Sequence, residues 1–254
     1  MKKKLLFLDT ETTGNTEADF LCQVAYQVDD EEIREELFKP EIPISVESSS
    51  VCHITNRMVA DKPPFRGSDF AEKLTSDLTE SVFVAHNAIF DITMLKKEDI
   101  EIDDYICTMK IEKYLDKDGT IPRYSLQYLR YFYDFDVEAF AHQASDDIKV
   151  LKVLFKHQLE RLMKAESLSE EDAALKMITI SKAPSIIKII PFGKHKGKNI
   201  EDVAKEDKGY LEWLLNEKLK NPQIGDEDWV HTLKSFLGKQ SLTIRSFFSN
   251  IIKN

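Results

Sequence analysis

The chain has 254 residues, of which 42% are hydrophobic and 10% aromatic, and its formal net charge is −10. This composition can bury a full core, so it excludes a disordered chain, and the length favours two domains over one. Three cysteines without C-x-x-C spacing and the lack of a long apolar run exclude a disulfide scaffold and a membrane span, so we expect a cytoplasmic protein.

The first half of the chain alternates strand and helix patterns. Period-two apolar segments predict strands at residues 4–9, 21–28, 33–38, 82–86 and 104–107. Helical periodicity predicts helices at residues 70–79, 88–98, 108–115, 125–132 and 145–163. Strands mixed with helices in this order indicate an α/β fold.

The second half predicts a linker and a smaller module. A polar stretch at 166–171 begins a helix that runs to about residue 178, and Pro184 ends it, because proline disfavours helix in the preceding residue. A strand at 186–192, turns at Gly193 and Gly197, and helices at 210–219 and 226–237 follow. We therefore expect a catalytic domain at 1–165, a linker helix at 166–183 and an α+β C-terminal module with a tail at 184–254.

Charge divides unevenly between these parts. Residues 184–254 hold 12 basic and 9 acidic residues, which leaves 23 basic and 36 acidic residues for 1–183, a net charge of −13. An acidic domain suits bound cations, and a locally basic module suits a phosphate backbone. Any single surface lysine is nevertheless more often simply solvated.

Two acids stand at the end of the first predicted strand. Asp9 and Glu11 are two residues apart, so they point to the same face of the strand. Two like charges on an apolar strand cost free energy unless a cation neutralises them. A hard divalent ion with oxygen ligands is the natural partner.

Other candidate ligands follow in the chain. Asp91 lies where the strand at 82–86 turns into a helix, and Asp147 lies in the first turn predicted for the helix at 145–163. His142 falls on the preceding loop, and Asp146 competes with Asp147 as a ligand. Four carboxylates and one histidine are the inventory needed for two-metal cleavage of a phosphodiester.

These motifs carry a family resemblance. Asp9-Thr10-Glu11, Asn87 with Asp91, and His142 with Asp147 in H-x4-D spacing resemble the three motifs of the DnaQ-like (DEDDh) 3′→5′ exonucleases. The segments that resemble the exodeoxyribonuclease X-like members of this family are 59–63, 84–88, 106–110, 192–198 and 207–214. The resemblance implies a ribonuclease H-like mixed five-stranded sheet, with one antiparallel strand, flanked by helices.

The resemblance also implies roles at the site. It implies two Mg²⁺ or Mn²⁺ ions held by Asp9, Glu11, Asp91 and Asp147, with His142 as the general base. Taken alone, Asp91 fits an ordinary acid at a helix N-terminus equally well, and His142 fits a surface loop histidine.

Nucleic-acid contacts are predicted at both ends of the chain. The residues concerned are Thr10, Thr12, Thr13, Gly14, Asn15, His86, Asn87, Lys194, Lys196 and Lys198. The threonines and Gly14 would offer backbone N–H groups to the terminal nucleotide. Asn15 and Thr16 stand where relatives often carry a bulky apolar residue, which argues against a wedge that opens duplex ends. Asn87 also fits a purely structural role in its turn.

Three features of the C-terminal module have competing interpretations. The lysines at 194, 196 and 198 form a basic turn, which lacks the Ser or Thr of a nucleotide-binding P-loop. Trp213 and Trp229 lie beside leucines and are expected in the core. Residues 241–248 resemble a sliding-clamp-binding peptide, although a segment that packs on its own domain is the commoner case.

The sequence thus predicts a metal-dependent exonuclease that acts on DNA 3′ ends, single-stranded or duplex, in DNA repair that includes mismatch repair. A polymerase proofreading subunit and an RNA-trimming 3′→5′ exoribonuclease are the enzymatic alternatives, and RNA stays open as a substrate. A non-catalytic nucleic-acid-binding protein has no reason to keep like charges together. Family members include dimers, so a homodimer is also open.

Overall fold

The computed structural model describes residues 3–138, 144–221 and 226–251, and it describes side chains as far as Gly238. The chain forms two compact units, Met1–Ala183 and Pro184–Asn254. Within the described ranges, none of the helices is long and apolar enough to cross a membrane.

The first unit is built on a five-stranded mixed sheet in the order β3-β2-β1-β4-β5. The strands are β1 (Lys4–Thr12), β2 (Leu21–Val28), β3 (Arg34–Leu37), β4 (Ser81–Ala85) and β5 (Tyr105–Cys107). Strand β2 is antiparallel to both of its neighbours, whereas β1, β4 and β5 are parallel. The predicted mixed sheet with one antiparallel strand is therefore confirmed.

Helices cover both faces of this sheet. In chain order they are α1 (Val46–Cys52), α2 (Asn56–Val59), α3 (Asp69–Thr79), α4 (Ile89–Lys97), α5 (Thr108–Leu115), α6 (Leu126–Phe132), α7 (Ala144–Glu166) and α8 (Glu170–Lys182). One face packs Phe7, Val84 and Ile106 against Ile148 and Leu151 of α7. A sheet with helices on both faces buries its apolar side chains in two layers, as an α/β fold requires.

Helix α8 closes the edge of the sheet at β5. Its residues Ala173 and Met177 are fully buried in the core of the first unit. The Ser181 hydroxyl accepts a hydrogen bond of 2.8 Å from the Cys107 N–H and donates one to the Met177 carbonyl. Residues predicted as a linker thus include a helix of the first unit, and the division at residues 165 and 183 stays a prediction.

The second unit has its own small core. Its elements are a 3₁₀ turn (Gly193–His195), α9 (Ile200–Glu206), α10 (Lys208–Lys220) and α11 (Asp226–Ile251). Ile190, Val203, Leu211 and Leu233 are fully buried together. On α11, the buried Asp228 carboxylate accepts the Ser185 N–H at 2.8 Å, so the entry segment is fixed to this helix.

Several sequence-based boundaries need correction. The strand predicted at 186–192 is reduced to one bridge between Ile189 and Asn199, because the Lys-rich turn closes within a few residues. Helices α1, α2 and α9 were not predicted, since segments of four to seven residues carry little periodicity. In the first turn of α7, the Ser145 N–H donates to the Glu35 carboxylate at 3.1 Å.

Candidate active site

Strand β1 extends past its parallel neighbour and carries two acids there. Pairing between β1 and β4 ends at Phe7, whereas pairing with β2 continues through Asp9 and Glu11. Asp9 and Glu11 have the same side-chain direction as Phe7, because side chains alternate along a strand. The two carboxylates therefore lie at the open end of the sheet, on the side that α7 covers.

The packing of α7 brings a third carboxylate to this point. The rings of Phe7 and Phe155 meet edge to face, with centroids 5.4 Å apart. Asp147 lies eight residues before Phe155, about 12 Å along a helix, and Glu11 lies four residues after Phe7, about 13 Å along a strand. The two lengths match. Asp9, Glu11 and Asp147 accordingly offer carboxylate oxygens that all lie within 4.8 Å of one another.

Asp147 and its neighbour Asp146 have different partners in the structure. Asp146 accepts a hydrogen bond of 2.6 Å from the Lys149 ammonium, so it serves an ion pair on α7. Asp147 instead accepts from the Gln127 side-chain amide, which reaches it from α6. Arg130 donates in turn to the Gln127 carbonyl oxygen at 3.4 Å. Gln127 thus orients Asp147, a contact that the sequence did not reveal because it depends on how α6 packs against α7.

Asp91 lies beside the three-carboxylate cluster. It is 3% exposed in the first turn of α4, and it accepts a 2.7 Å hydrogen bond from the Thr10 hydroxyl. Thr10 points to the face opposite Asp9, so its hydroxyl holds Asp91 at the edge of the site. Asp91 is close enough to Asp9 to raise the pKa of that carboxyl.

Burial and mutual repulsion perturb the acids strongly. Burial, followed by the charges of Asp91, Glu11 and Asp147, raises the pKa of Asp9 well above its ordinary value. Burial and then Asp147 and Asp91 raise the pKa of Glu11 to about 8, and burial raises the pKa of Asp91 to about 7. Hard oxygen donors with excess negative charge fit a divalent cation, whose charge would offset this repulsion.

A cleft adjoins the cluster. It has a volume of about 510 Å³. Its lining includes Thr10, Glu11, Thr12, Gly14, Asn15, Ser45, Glu47, Ser48, Val51 and Phe90. Helix α1 supplies one wall, and the Ser48 hydroxyl ties that wall to β1 by donating to the Thr12 carbonyl. The cleft is large enough for a nucleotide, and its mostly polar lining includes two apolar side chains, Val51 and Phe90.

One of the predicted backbone contacts needs correction. The Thr13 N–H donates to the Phe20 carbonyl at 2.9 Å, so it is committed within the protein. Gly14 makes room for a carboxylate of the same loop, because an added Cβ would lie only 2.5 Å from Asp19. Asn15 is exposed at the cleft, as its prediction requires.

His86 and Asn87 have structural roles in their turn. The His86 ring bonds through Nε2 to the Tyr124 carbonyl at 2.7 Å and through Nδ1 to the Thr108 hydroxyl at 2.9 Å. Both ring nitrogens are hydrogen-bonded within the protein, so neither is available for the predicted nucleotide contact. Burial lowers the His86 pKa to about 4, so the ring is neutral. Asn87 adopts a left-handed conformation (φ 63°), which turns the chain from β4 into α4.

The remaining predictions concern His142, the tail segment and the three lysines of the basic turn. His142 lies outside the described residues, and so do the side chains of the tail segment 241–248. Lys194 and Lys198 form ion pairs with Asp207 (2.7 Å) and Glu206 (3.0 Å). Lys196 is exposed in the same basic turn.

Comparisons with known proteins agree with this site. A family model described as Exonuclease matches residues 6–155, and one described as Exodeoxyribonuclease X-like C-terminal matches residues 190–218. Exodeoxyribonuclease 10 of Escherichia coli (strain K12) is 30% identical over 226 residues, covering 84% of this chain and 90% of that protein. The DNA polymerase III subunit epsilon of Treponema pallidum is 31% identical over 162 residues, covering 58% and 72%.

A solved structure is similar over the same region. Exonuclease X in complex with 5′ overhanging duplex DNA is 25% identical, with a TM-score of 0.50, over 70% of this chain and 99% of that chain. The present chain therefore belongs to the DnaQ-like 3′→5′ exonuclease family, as an exodeoxyribonuclease X-like member. It is a nuclease and hence a hydrolase, which confirms the predicted family and enzyme class.

Proposed function

We propose that this chain is a divalent-metal-dependent exodeoxyribonuclease that releases mononucleotides from DNA 3′ ends. The observation that carries the proposal is the cluster of Asp9, Glu11 and Asp147 at the open end of the sheet, beside a cleft of nucleotide size. Like-charged carboxylates gathered in this way are costly unless cations hold them together.

The residues that would hold two ions, Mg²⁺ or Mn²⁺, are the three cluster acids together with Asp91. When bound, such a pair of ions supplies an activated water and neutralises charge on the leaving oxygen. The chain's own residues set the geometry. Gln127 fixes one oxygen of Asp147, and Thr10 fixes one oxygen of Asp91. Orienting contacts of this kind typically account for a 10- to 100-fold effect on metal affinity or activity.

The 3′-terminal nucleotide would occupy the cleft beside Glu11. Val51 and Phe90 offer apolar surface to the base or sugar, and Asn15 offers an amide at the rim. The scissile phosphate would then lie over the cluster.

His142 is proposed as the general base. Its H-x4-D spacing from Asp147 matches the family motif, and an imidazole that titrates near neutral pH suits removal of a proton from the attacking water.

DNA is the proposed substrate, with single-stranded 3′ ends preferred and duplex ends accepted. The relative at 30% identity is named an exodeoxyribonuclease, and the similar solved structure holds duplex DNA. The match at 190–218 favours this role over polymerase proofreading, although an epsilon subunit is also similar. We propose the catalytic domain at 1–165, the linker at 166–183, the DNA-gripping module at 184–254, and a role in DNA repair.

Degradation of end-labelled strands tests the proposal. Single-stranded DNA, duplex DNA and RNA, each labelled at the 5′ end, are incubated with Mg²⁺, Mn²⁺ or EDTA. We expect ladders that shorten from the 3′ end of DNA with metal, none in EDTA, and none with Asp9→Ala. Asp146→Asn is the matched control that keeps activity. Equal degradation in EDTA, or shortening from the 5′ end, would overturn the proposal.

A further inference from the structure

Helix α10 presents an exposed indole. Trp213 is 55% exposed, whereas Trp229 on α11 is 9% exposed, so the prediction that both lie in the core is wrong for Trp213. Leu211 and Leu214 fill the buried face of α10, and the helical rotation leaves Trp213 on its outer side. Tryptophan is enriched at binding surfaces, because its ring is apolar and its N–H is polar, so this exposed face is a candidate contact surface.

The indole belongs to a small aromatic surface. The rings of Tyr210 and Trp213 lie 5.6 Å apart at an interplanar angle of 36°. The Lys194 ammonium lies 5.1 Å from the centre of the Tyr210 ring. The Tyr210 hydroxyl also packs against Gly193, where an added Cβ would lie 2.9 Å away. The basic turn and α10 are thereby held together as one surface.

Lysines lie in the same turn and on the same helix as these rings, together with the acids Glu212 and Glu217 of α10. Residues 184–198 hold four lysines and no acid. Lys194 forms an ion pair with Asp207, whereas Lys196 is exposed in the same turn. Lys220 is exposed seven residues after Trp213, about 10 Å further along the same face of α10. An aromatic pair with exposed lysines in the neighbouring turn and further along the same helix complements a strand of unpaired bases and phosphates, because every base has a face that can stack.

We propose that Trp213 and Tyr210 form a base-stacking site for single-stranded DNA, flanked by Lys196 and Lys220. This inference rests on the proposed function in one respect, since it takes the substrate strand to be DNA. None of its residues belongs to the carboxylate cluster, so the site can be tested without catalysis. The site would bind nucleotides of the substrate strand other than those at the 3′ end that is being hydrolysed.

Tryptophan fluorescence of the full chain in EDTA tests the site. The chain has two tryptophans, so each can be removed in turn. We expect a short oligothymidylate to quench the wild type and Trp229→Phe, and not Trp213→Phe. Trp213→Ala should bind the oligonucleotide about 5- to 100-fold more weakly, and Trp213→Phe should restore part of the affinity. Lys196→Gln should lower the slope of log affinity against log salt by about 0.7.

The outcomes separate this site from the catalytic proposal. Duplex DNA without overhangs should compete poorly, because its bases are already stacked. Unchanged binding by Trp213→Ala, or quenching that survives in Trp213→Phe, would overturn the inference. If the strand assay shows no degradation while Trp213-dependent quenching persists, the proposed function fails and the stacking site stands. Acrylamide quenching of wild-type Trp213, reduced by the oligonucleotide, checks the result without any substitution.

Discussion

Replacing Glu11 with glutamine should stabilise the metal-free protein at neutral pH. Burial, together with Asp147 and Asp91, raises the Glu11 pKa to about 8 from an ordinary 4.5. A carboxyl whose pKa is raised on folding binds its proton more tightly in the folded state. Stability is therefore greatest below the unfolded pKa and falls as pH rises towards the folded one. Glutamine has no proton to lose, so it removes this dependence.

The size of the effect follows from the shift. Between the two pKa values, the free energy of unfolding falls by about 1.4 kcal/mol for each pH unit. From pH 4.5 to pH 7 that slope gives about 3 kcal/mol, and solvent screening of a half-buried side chain reduces it to about 2 kcal/mol. In a unit of this size, about 2 kcal/mol corresponds to a rise in Tm of about 4–8 °C. At pH 5 the gain should nearly vanish.

Thermal melts in EDTA at pH 5 and pH 7 measure this gain. Glu36→Gln on β3 is the matched control, since Glu36 is exposed and lies outside the cluster. Adding Mn²⁺ should make the wild type the more stable of the two, because bound Mn²⁺ stabilises the folded wild type more than it stabilises Glu11→Gln. A Glu11→Gln variant less stable than the wild type in EDTA at pH 7 would refute the claim that burial and repulsion together destabilise the ionised Glu11 carboxylate.

Three further outcomes are expected. Asp147→Asn should abolish DNA degradation while Asp146→Asn retains it, because only Asp147 joins the cluster; equal losses in a strand assay would contradict this. Gln127→Leu should weaken Mn²⁺ binding about 10- to 100-fold, because Asp147 loses its orienting donor. Electron paramagnetic resonance without DNA measures this affinity, and an unchanged value would show that the contact does not affect metal binding. His142→Ala should lower kcat at least about 100-fold and leave Mn²⁺ affinity unchanged, whereas loss of Mn²⁺ affinity would make His142 a ligand instead of a base.

Much of the site could be predicted from local pattern. Asp9 and Glu11 were found because alternation on an apolar strand puts two acids on one face, and the structure keeps them there. The choice between Asp146 and Asp147 could not be made from the residues alone. It depends on where α7 begins and how it rotates, and packing of Phe155 on Phe7 decides both.

The features that could not be predicted from the sequence are tertiary contacts. The Gln127–Asp147 contact joins α6 to α7, and nothing in either segment's periodicity indicates it. The Asp19 carboxylate lies where a side chain at residue 14 would stand, a contact within the loop that the sequence alone did not indicate. Trp213 lies beside leucines in sequence, and only its rotation about α10 shows that it faces solvent.

The central claim is that the cluster of Asp9, Glu11 and Asp147 binds divalent ions, and Mn²⁺ located by anomalous diffraction tests it most directly. Crystals grown with Mn²⁺ should show an anomalous peak within about 2.0–2.4 Å of oxygens from all three carboxylates. Asp146, paired with Lys149, should show none. Crystals that hold Mn²⁺ elsewhere but not among these oxygens would contradict the account.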